Sequence, residues 1–304
     1  MRHRLSVGLV GLGRWGTNYL DALARTEGCH LTAACDVDPA ALSVVGAQQG
    51  TRLYRDLETM LTSEDLAAVV IATPEQSHYQ LAGSCLQSGL DVLVEKPMTL
   101  SAAEAEELVE MAEAEERILA VGHTALYLDD FISTRVSFES GGFRGPVSAE
   151  ATRASHGPAQ PGASDVLWDL VPHDLAMAIS LFGNPLRLRL KERASTRVEY
   201  EAEFAPGFVL RGRAEWNGTS GPRRLTVKGT GGLLRIDDNG RARSGSERPL
   251  DRLCHDFVSS CHHRRAPLSD GRIGLAVVRS LEALETSGQE GNVWHEPART
   301  GLNS

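Results

Sequence analysis

Lysine is scarce in this chain of 304 residues, which has only Lys96, Lys191 and Lys228 among 31 lysines and arginines. Acidic side chains outnumber basic ones by 40 to 31, so the formal charge is −9. The chain therefore lacks the basic excess that is typical of nucleic-acid-binding proteins, and we expect no nucleic acid among its partners. The preference for arginine is compositional, but it draws attention to any lysine beside chemically informative residues.

Long hydrophobic segments are also missing. The longest strongly apolar stretch, 66–72, is far shorter than the roughly 20 residues that cross a bilayer. The first residues place two arginines before an apolar run, as a secretory signal does, but no small-residue cleavage site follows the run. We therefore predict a soluble protein without a membrane partner, in which this run is the first β-strand.

The cysteines do not suggest disulfides. Five is an odd number, and no two of them form a C-x-x-C pair, so we expect a reducing, cytoplasmic location. A cluster of cysteines and histidines suggests zinc, but its spacing fits none of the usual ligand pairs. We predict an exposed helix end and no metal site there. The cluster consists of Cys254, His255, Cys261, His262 and His263.

The first part of the chain alternates short apolar runs with helical patterns. The runs are LSVGLV, HLTAACD, AAVVIAT, DVLVE and ILAVG, and the helices predicted between them are 14–25, 39–49, 75–88 and 101–116. Apolar runs bounded by turn residues are typical of buried parallel strands. Their alternation with helices predicts a doubly wound α/β sheet, which we assign to residues 1–121.

After residue 121 the strands follow one another directly. The runs are PVSAEATRA, PLRLRLKER, TRVEYEAEF, GFVLRGRAEW, RRLTVKG and GLLRID. Their in-and-out alternation predicts an open-faced, mainly antiparallel sheet in an α+β domain over 122–304, which ends in helices at 250–262 and 271–286. We interpret four arginines spaced in pairs as solvated sheet surface, with a phosphate-binding patch as the alternative. They are Arg187, Arg189, Arg211 and Arg213.

The first strand runs into Gly11, Gly13 and Gly16 and then into a helix. Such a turn suits a pyrophosphate, because glycines allow a tight turn and a close backbone approach, and the helix N-terminus favours anions. Asp36 lies 20 residues after Gly16, where a carboxylate holds ribose hydroxyls, whereas Asp38 suits a helix N-cap. Two carboxylates without an adjacent arginine would repel a 2′-phosphate. We therefore predict NAD over NADP.

Two further features carry chemistry. The apolar run DVLVE continues into V-E-K-P, which puts Glu95 and Lys96 at the carboxyl end of that strand, where doubly wound sheets bind ligands. Asp169 and His173 are four residues apart and share a face if their segment is helical. Pro172 lies between them and is able to kink a helix or to start one.

Together these features resemble the glucose-fructose oxidoreductase and inositol dehydrogenase (Gfo/Idh/MocA) family, NAD(P)-dependent enzymes that act on sugars and polyols. The similar segments follow family order: GLVGLGRWG, ATPEQSHY, VEKP, the segment from Asp169 to His173, KGTGGLLRIDD and SDGRIGLAVVRSLEA. The resemblance implies a Rossmann domain, a second domain with an open-faced sheet for substrate binding and oligomerisation, and a site between the two. It also implies a cis peptide bond before Pro97.

By position, Lys96, Asp169 and His173 are similar to the catalytic residues of that family. Oxidation of a carbinol releases a proton, so His173 would act as the base with a pKa near neutrality. Lys96 would hydrogen-bond the reacting oxygen, and Asp169 would orient the pair. The alternative is structural: Asp169 caps a helix and His173 is a histidine with satisfied hydrogen bonds.

The resemblance also implies contacts to the cofactor and the substrate. The predicted cofactor-binding residues are Gly11, Gly13, Arg14, Trp15, Gly16, Asp36, Thr73, Pro74, His78, Glu95 and Lys96. Substrate candidates are His123, Trp168 and His156, the last of them in the loop 155–164. A capping role for Thr73, a buried histidine bonded to backbone at position 123, and simple packing of Trp15 and Trp168 are the alternatives.

The predicted activity is hydride transfer between NAD and a secondary alcohol of a sugar derivative. VGHTALY and LWDLVPHD favour nucleotide-linked or amino sugars, with inositols, free sugars and sugar phosphates as alternatives. A non-catalytic dinucleotide-binding sensor is the alternative from another class, and an imine or tetrapyrrole reductase is a third. Neither needs Lys96, Asp169 and His173 together. Because family members associate through the open sheet, we expect a homo-oligomer, either a dimer or a tetramer.

Overall fold

The computed structural model describes residues 4–45, 50–143, 145–157, 165–205, 207–219, 221–238 and 246–298. The chain divides into two compact units, Met1–Gly122 with Glu247–Leu275, and His123–Ser246 with Ala276–Ser304. Residues 247–275, which the sequence analysis assigned to the second domain, thus group with the first unit. The boundary proposed after residue 121 stays a prediction.

The first unit contains a six-stranded parallel sheet. Its strands are β1 (Leu5–Val10), β2 (Cys29–Cys35), β3 (Arg52–Tyr54), β4 (Ala68–Ile71), β5 (Asp91–Val94) and β6 (Leu119–Val121). The helices between them are α1 (Arg14–Arg25), α2 (Pro39–Leu42), α3 (Leu57–Ser63), α4 (His78–Gln87) and α5 (Ala102–Ala114). The strand order β3-β2-β1-β4-β5-β6 is that of a Rossmann sheet, so the predicted doubly wound fold is confirmed.

Burial explains why the strands of this sheet read as apolar runs. Every residue of β4 and β5 is buried, as expected for parallel strands that helices cover on both faces. Helix α1 is amphipathic. Its buried side chains recur at helical spacing and include Tyr19, Leu20 and Leu23, while the opposite face carries polar residues. Neither β3 nor α3 was predicted from the sequence, because both are short.

The second unit contains a mixed sheet. Its strands are β7 (Pro146–Ser155), β8 (Arg187–Ala194), β9 (Arg197–Phe204), β10 (Phe208–Trp216), β11 (Arg223–Gly229) and β12 (Gly232–Asp237), and its helices are α6 (Asp129–Glu139) and α7 (Val166–Phe182). The order is β12-β11-β7-β10-β9-β8. Only β7 and β10 pair in parallel in the described sheet, so the predicted mainly antiparallel sheet is confirmed.

The two faces of this second sheet differ in chemistry. In β9 every second residue is buried, and α7 packs on the buried face of β7, β9 and β10. The other face carries ion pairs of all four arginines. Between strands, Arg187 pairs with Glu203, Arg189 and Arg211 pair with Glu201, and Arg213 pairs with Glu199. Arg213 also pairs with Glu215 of its own strand. Their pairing favours a solvated surface over a phosphate-binding patch.

Two helices close the described chain. Helix α8 (Pro249–His263) packs on α1, and Asp251 accepts from Arg25 at 2.9 Å. Helix α9 (Gly271–Gln289) contains the point at which the two units divide. Among the described helices, none combines the length and apolar character that a membrane crossing requires.

The cysteines and histidines of α8 do not converge. Cys254 and Cys261 are buried, whereas the ring of His262 lies 2.9 Å from the Gly28 carbonyl oxygen and that of His263 contacts Ser259. Within the described ranges, no group of three or more potential ligands is close enough to hold a metal ion. All five cysteines of the chain are described, and each is a buried free thiol.

Candidate cofactor and active site

Four neighbouring strands bring the predicted cofactor residues to one edge of the first sheet. Val10 pairs with Cys35 on one side and Ile71 on the other, and Ile71 pairs with Val94. Because the strands are parallel, the residues that follow them meet at their carboxyl ends. These residues are Gly11, Asp36, Ala72 and Glu95. The gap between β1 and β4, where the strand order reverses, is the usual position of a dinucleotide.

The three glycines after β1 have separate structural reasons. Gly11 has φ +90°, and a Cβ there would lie 2.7 Å from the Ala72 carbonyl. A Cβ on Gly16 would collide with the Gly11 carbonyl oxygen. Gly13 is exposed and has no atom within 4 Å of its Cβ position, so the backbone is open to a ligand on that side.

The start of α1 suits an anion. Gly13 is its N-cap, no side chain caps the helix, and the first turn holds no acidic residue. The free amides and the helix dipole therefore favour a phosphate. The geometry of the glycine turn and this helix end fits the pyrophosphate of a dinucleotide. Arg14 and Trp15 are exposed beside the turn, and their contacts to a cofactor stay predictions.

The carboxylate of Asp36 is already oriented by backbone. Oδ2 accepts from Leu12 N–H at 2.7 Å, and Oδ1 accepts from Asp38 N–H at 2.9 Å. Asp38 caps α2 through Ala40 N–H at 2.9 Å, as the sequence predicted. A residue that sequence analysis missed lies nearby: the Arg55 guanidinium donates to the carbonyl of Val37 at 3.4 Å. It follows β3, whose short pattern gave no signal.

The segment after β4 is held by hydrogen bonds to its own backbone. Thr73 Oγ1 accepts from the Ser77 hydroxyl at 2.7 Å, while Pro74 is exposed. His78 is buried, with Nδ1 2.8 Å from the Pro97 carbonyl and Nε2 2.9 Å from the Thr73 carbonyl. Burial lowers the pKa of His78. Through these two contacts His78 connects the segment after β4 to the segment after β5. Direct contacts of Thr73, Pro74 and His78 to a cofactor stay predictions.

The end of β5 places a buried acid before an accessible lysine. Glu95 accepts from the Tyr19 hydroxyl at 2.7 Å and from Lys96 N–H at 3.0 Å, and burial raises the pKa of Glu95. Lys96 is half-buried, and its bond to Pro97 is cis, as the resemblance implied. The carboxylate of Glu95 is thus held in the interior by Tyr19 of α1 and by the backbone of the next residue, Lys96.

In the second unit, Asp169 and His173 both lie in α7, which continues through Pro172. The N-cap is Asp165, which accepts from Leu167 and Trp168 N–H at 3.0 and 3.2 Å, so Asp169 is not the cap. Over residues 166–179 of this described helix, Asp169 and His173 are partly accessible to solvent, and every other residue is buried. Their spacing of four puts them on one face. Both are thus available on an otherwise buried helix.

Two contacts join α7 to the second sheet, and neither was predicted from the sequence. Trp216 Nε1 donates to Asp169 Oδ2 at 3.1 Å. Buried Arg153 donates to Asp174 Oδ1 at 2.9 and 3.0 Å and to Asp238 Oδ2 at 2.8 Å. Burial raises the pKa of Asp174. The partners are 21 to 85 residues apart in the chain, so no local pattern connects them. The one signal in the sequence was that Arg153 is a charged residue at a position of β7 that the alternation predicts to be buried.

The three substrate candidates have different environments. His123 is fully buried, His156 is exposed, and Trp168 is buried in α7 with 7% of its surface accessible. Burial of Trp168 is what simple packing predicts, and the role of each residue in substrate binding stays a prediction. Of the loop predicted to border the substrate pocket, residues 158–164 lie outside the described residues.

Comparison with known proteins agrees with this geometry. Residues 5–123 match the family model for an oxidoreductase family with an NAD-binding Rossmann fold. The chain is 29% identical over 182 residues to UDP-N-acetylglucosamine 3-dehydrogenase of Acidithiobacillus ferrooxidans, covering 59% of this chain and 55% of the relative. It is 33% identical over 147 residues to inositol 2-dehydrogenase of Rubrobacter xylanophilus, covering 47% and 42%. The chain thus spans about half the length of the curated relatives it matches.

Similarity at the level of fold extends over nearly the whole chain. The crystal structure of myo-inositol 2-dehydrogenase from Lactobacillus plantarum matches with a TM-score of 0.85 and 18% identity, covering 97% of this chain and 100% of that one. At this identity the match describes the fold. It includes both the parallel sheet and the mixed sheet.

Proposed function

Because the chain belongs to the Gfo/Idh/MocA oxidoreductases with an NAD-binding Rossmann fold, we propose that it is an NAD-dependent dehydrogenase of sugar derivatives. The reaction is hydride transfer between nicotinamide and a secondary alcohol or ketone. The observation that carries the proposal is the strand edge of the first unit, which puts the glycine turn, Asp36 and Lys96 at the ends of neighbouring strands.

The cofactor site is proposed along that edge. The amides of Gly13 and the first turn of α1 would hold the pyrophosphate, and Asp36 would accept from the ribose hydroxyls. Arg14 and Trp15 would flank the phosphates, and the segment from Thr73 to His78 would line the nicotinamide side. When bound, the nicotinamide accepts or returns the hydride.

Lys96, Asp169 and His173 are proposed as the catalytic residues. His173 takes the hydroxyl proton as the alcohol is oxidised, since an imidazole titrates near neutrality. The compact ammonium of Lys96 donates to the reacting oxygen and stabilises the charge that develops there. Asp169 orients the histidine. The partial accessibility of Asp169 and His173 on a buried helix supports this assignment.

We propose NAD as the cofactor in preference to NADP. The carboxylates of Asp36 and Asp38 follow β2 and would repel a 2′-phosphate, and the hydrogen bond from Leu12 N–H fixes Asp36 in place. Arg55 lies close to this acid, because its guanidinium donates to the carbonyl of Val37, the next residue. It is the residue able to receive a 2′-phosphate if the acid is removed.

The substrate is proposed to be a nucleotide-linked or amino sugar. The relative from Acidithiobacillus ferrooxidans, a UDP-N-acetylglucosamine 3-dehydrogenase, supports this class. The inositol 2-dehydrogenase relative supports inositol as the second candidate. We further propose a cytoplasmic homo-oligomer, which the buried thiols and the family membership support. Light scattering after size-exclusion chromatography tests for a dimer or tetramer.

The test is a substrate panel. Purified protein is mixed with NAD or NADP and with nucleotide sugars, amino sugars, sugar phosphates, free sugars and inositols, and the absorbance of reduced nicotinamide is followed. We expect turnover with NAD and a nucleotide-linked or amino sugar. Turnover only with inositols would replace the substrate class. NAD binding without turnover of any substrate, in either direction, would instead support a dinucleotide sensor.

A further inference from the structure

A hydrogen bond connects the mixed sheet to the accessible face of α7. The indole Nε1 of Trp216 donates to Asp169 Oδ2 at 3.1 Å, although 47 residues separate the two in sequence. Trp216 is the last residue of β10 and pairs with Ser155 at the end of β7. Its backbone N–H donates to the Thr196 carbonyl at 2.8 Å. The sheet therefore fixes the backbone from which the indole reaches Asp169.

The chemistry of the indole limits what this contact can do. An indole N–H is a donor only, so Asp169 must act as the acceptor. A hydrogen bond to an ionised carboxylate is stronger than one between neutral groups. Because the bond engages one carboxylate oxygen, it also restricts rotation of the group. Trp216 thus favours one orientation of the Asp169 carboxylate.

We propose that Trp216 is a positioning residue for hydride transfer, which acts by holding the Asp169 carboxylate in its working orientation. The inference rests on the proposed function, because the catalytic role of Asp169 does. Trp216 needs no contact with substrate or cofactor for this role. It acts through Asp169, which in turn orients His173 one helical turn further on.

Kinetics separate positioning from packing. Trp216→Phe keeps an aromatic ring but removes the donor, so we expect kcat to fall about tenfold while the KM for NAD stays within twofold. In an Asp169→Ala background the same substitution should have no further effect on kcat, because its target is gone. Trp294→Phe is the matched control. That tryptophan stacks on Arg187 and Arg189, and its loss should leave kcat unchanged.

An NMR experiment detects the bond without any turnover. The chain has four tryptophans, so ¹⁵N-tryptophan labelling gives four indole N–H signals. Trp216→Phe identifies one of them and Trp294→Phe another. In Asp169→Ala we expect the Trp216 signal to move and its hydrogen exchange with solvent to accelerate, while the Trp294 signal stays in place.

The outcomes distinguish this inference from the proposed function. If the wild type turns over a sugar and Trp216→Phe matches its kcat, the inference is wrong and the proposed function stands. An equal loss of kcat from Trp216→Phe in the wild-type and Asp169→Ala backgrounds would mean that Trp216 acts by packing alone, which also overturns the inference. If the wild type turns over no substrate, both fail, whatever the NMR signals show.

Discussion

Asp36 accepts a hydrogen bond from the backbone of Leu12, with 2.7 Å between Oδ2 and the nitrogen. This bond ties the end of β2 to the glycine turn that follows β1. The acid proposed to hold the ribose therefore also holds the loop proposed to bind the pyrophosphate. A substitution at Asp36 acts on both parts of the cofactor site.

The first prediction concerns coenzyme choice. Asp36→Asn removes the charge that repels a 2′-phosphate and weakens the acceptor for the ribose. We expect the Kd for NAD to rise about tenfold and the preference for NAD over NADP to shrink by at least the same factor. Calorimetric titration of both coenzymes measures these values. An unchanged ratio of the two Kd values would contradict the assigned role of Asp36.

Arg55 provides the partner experiment. Arg55→Ala alone should leave the Kd for NAD within about twofold, because its observed partner is the Val37 carbonyl. Combined with Asp36→Asn, it should remove the gain in NADP affinity, since a guanidinium is a good phosphate donor. If the double variant binds NADP as well as Asp36→Asn alone, then Arg55 does not receive the 2′-phosphate.

Two glycines of the turn are expected to respond differently to alanine. Gly16→Ala forces a Cβ onto the Gly11 carbonyl oxygen and should destabilise the protein by about 1–3 kcal/mol. Gly13→Ala meets no atom within 4 Å and should cost at most about 1 kcal/mol, the loss expected when alanine replaces glycine at an N-cap. It should nevertheless weaken NAD binding at least tenfold, because the methyl group occupies the side left open to phosphate. Normal NAD affinity of Gly13→Ala would argue against a pyrophosphate there.

Buried and exposed arginines should differ sharply in their effect on stability. Arg153→Met leaves Asp174 buried without its cation and should lower the free energy of unfolding by about 3–5 kcal/mol. Arg187→Met breaks an ion pair on the solvated face and should cost at most about 1 kcal/mol. Urea unfolding of the two variants measures both values. Equal losses would mean that the Arg153 pairs contribute no more than a surface pair.

The pH dependence of the free energy of unfolding should reveal the raised pKa of Glu95. Burial raises its pKa in the folded protein above the value in the unfolded chain, so the folded state holds the proton at higher pH. Its contribution therefore favours folding at low pH and is lost as pH rises from about 4.5 through the raised pKa. Glu95→Gln removes this titration. We expect the free energy of unfolding of the variant, relative to the wild type, to increase between pH 5 and pH 8.

A matched carboxyl serves as the control for that experiment. Glu110→Gln changes an exposed side chain on α5 of the same unit. Its free energy of unfolding should run parallel to that of the wild type over the whole pH range. If the Glu95→Gln curve is parallel as well, then Glu95 titrates alike in the folded and unfolded protein.

The sequence predicted what is encoded locally. The glycine turn, the Asp38 cap and the strand edge could be anticipated because the strands are apolar runs and each motif lies within a few residues of a strand end. The four sheet arginines were also interpretable, since spacing of two puts residues on one face. The alternation in β9 similarly indicated which face of the second sheet is buried.

Contacts between distant segments were not predictable. Trp216 meets Asp169, and Arg153 meets Asp238, only because the fold brings separate strands and a helix together. The parallel pairing of β7 with β10 has the same origin, since alternation within a strand carries no direction. Local signals were also misleading at one position. Pro172 is a local signal for a helix break, yet α7 continues through it.

The central claim is that Lys96 and His173 carry out the chemical step, and the kcat of Lys96→Ala and His173→Ala tests it most directly. With the best substrate of the panel and saturating NAD, we predict that each variant loses about a hundredfold or more in kcat while its Kd for NAD stays within about threefold of the wild type. A kcat close to that of the wild type in either variant would contradict the role assigned to that residue.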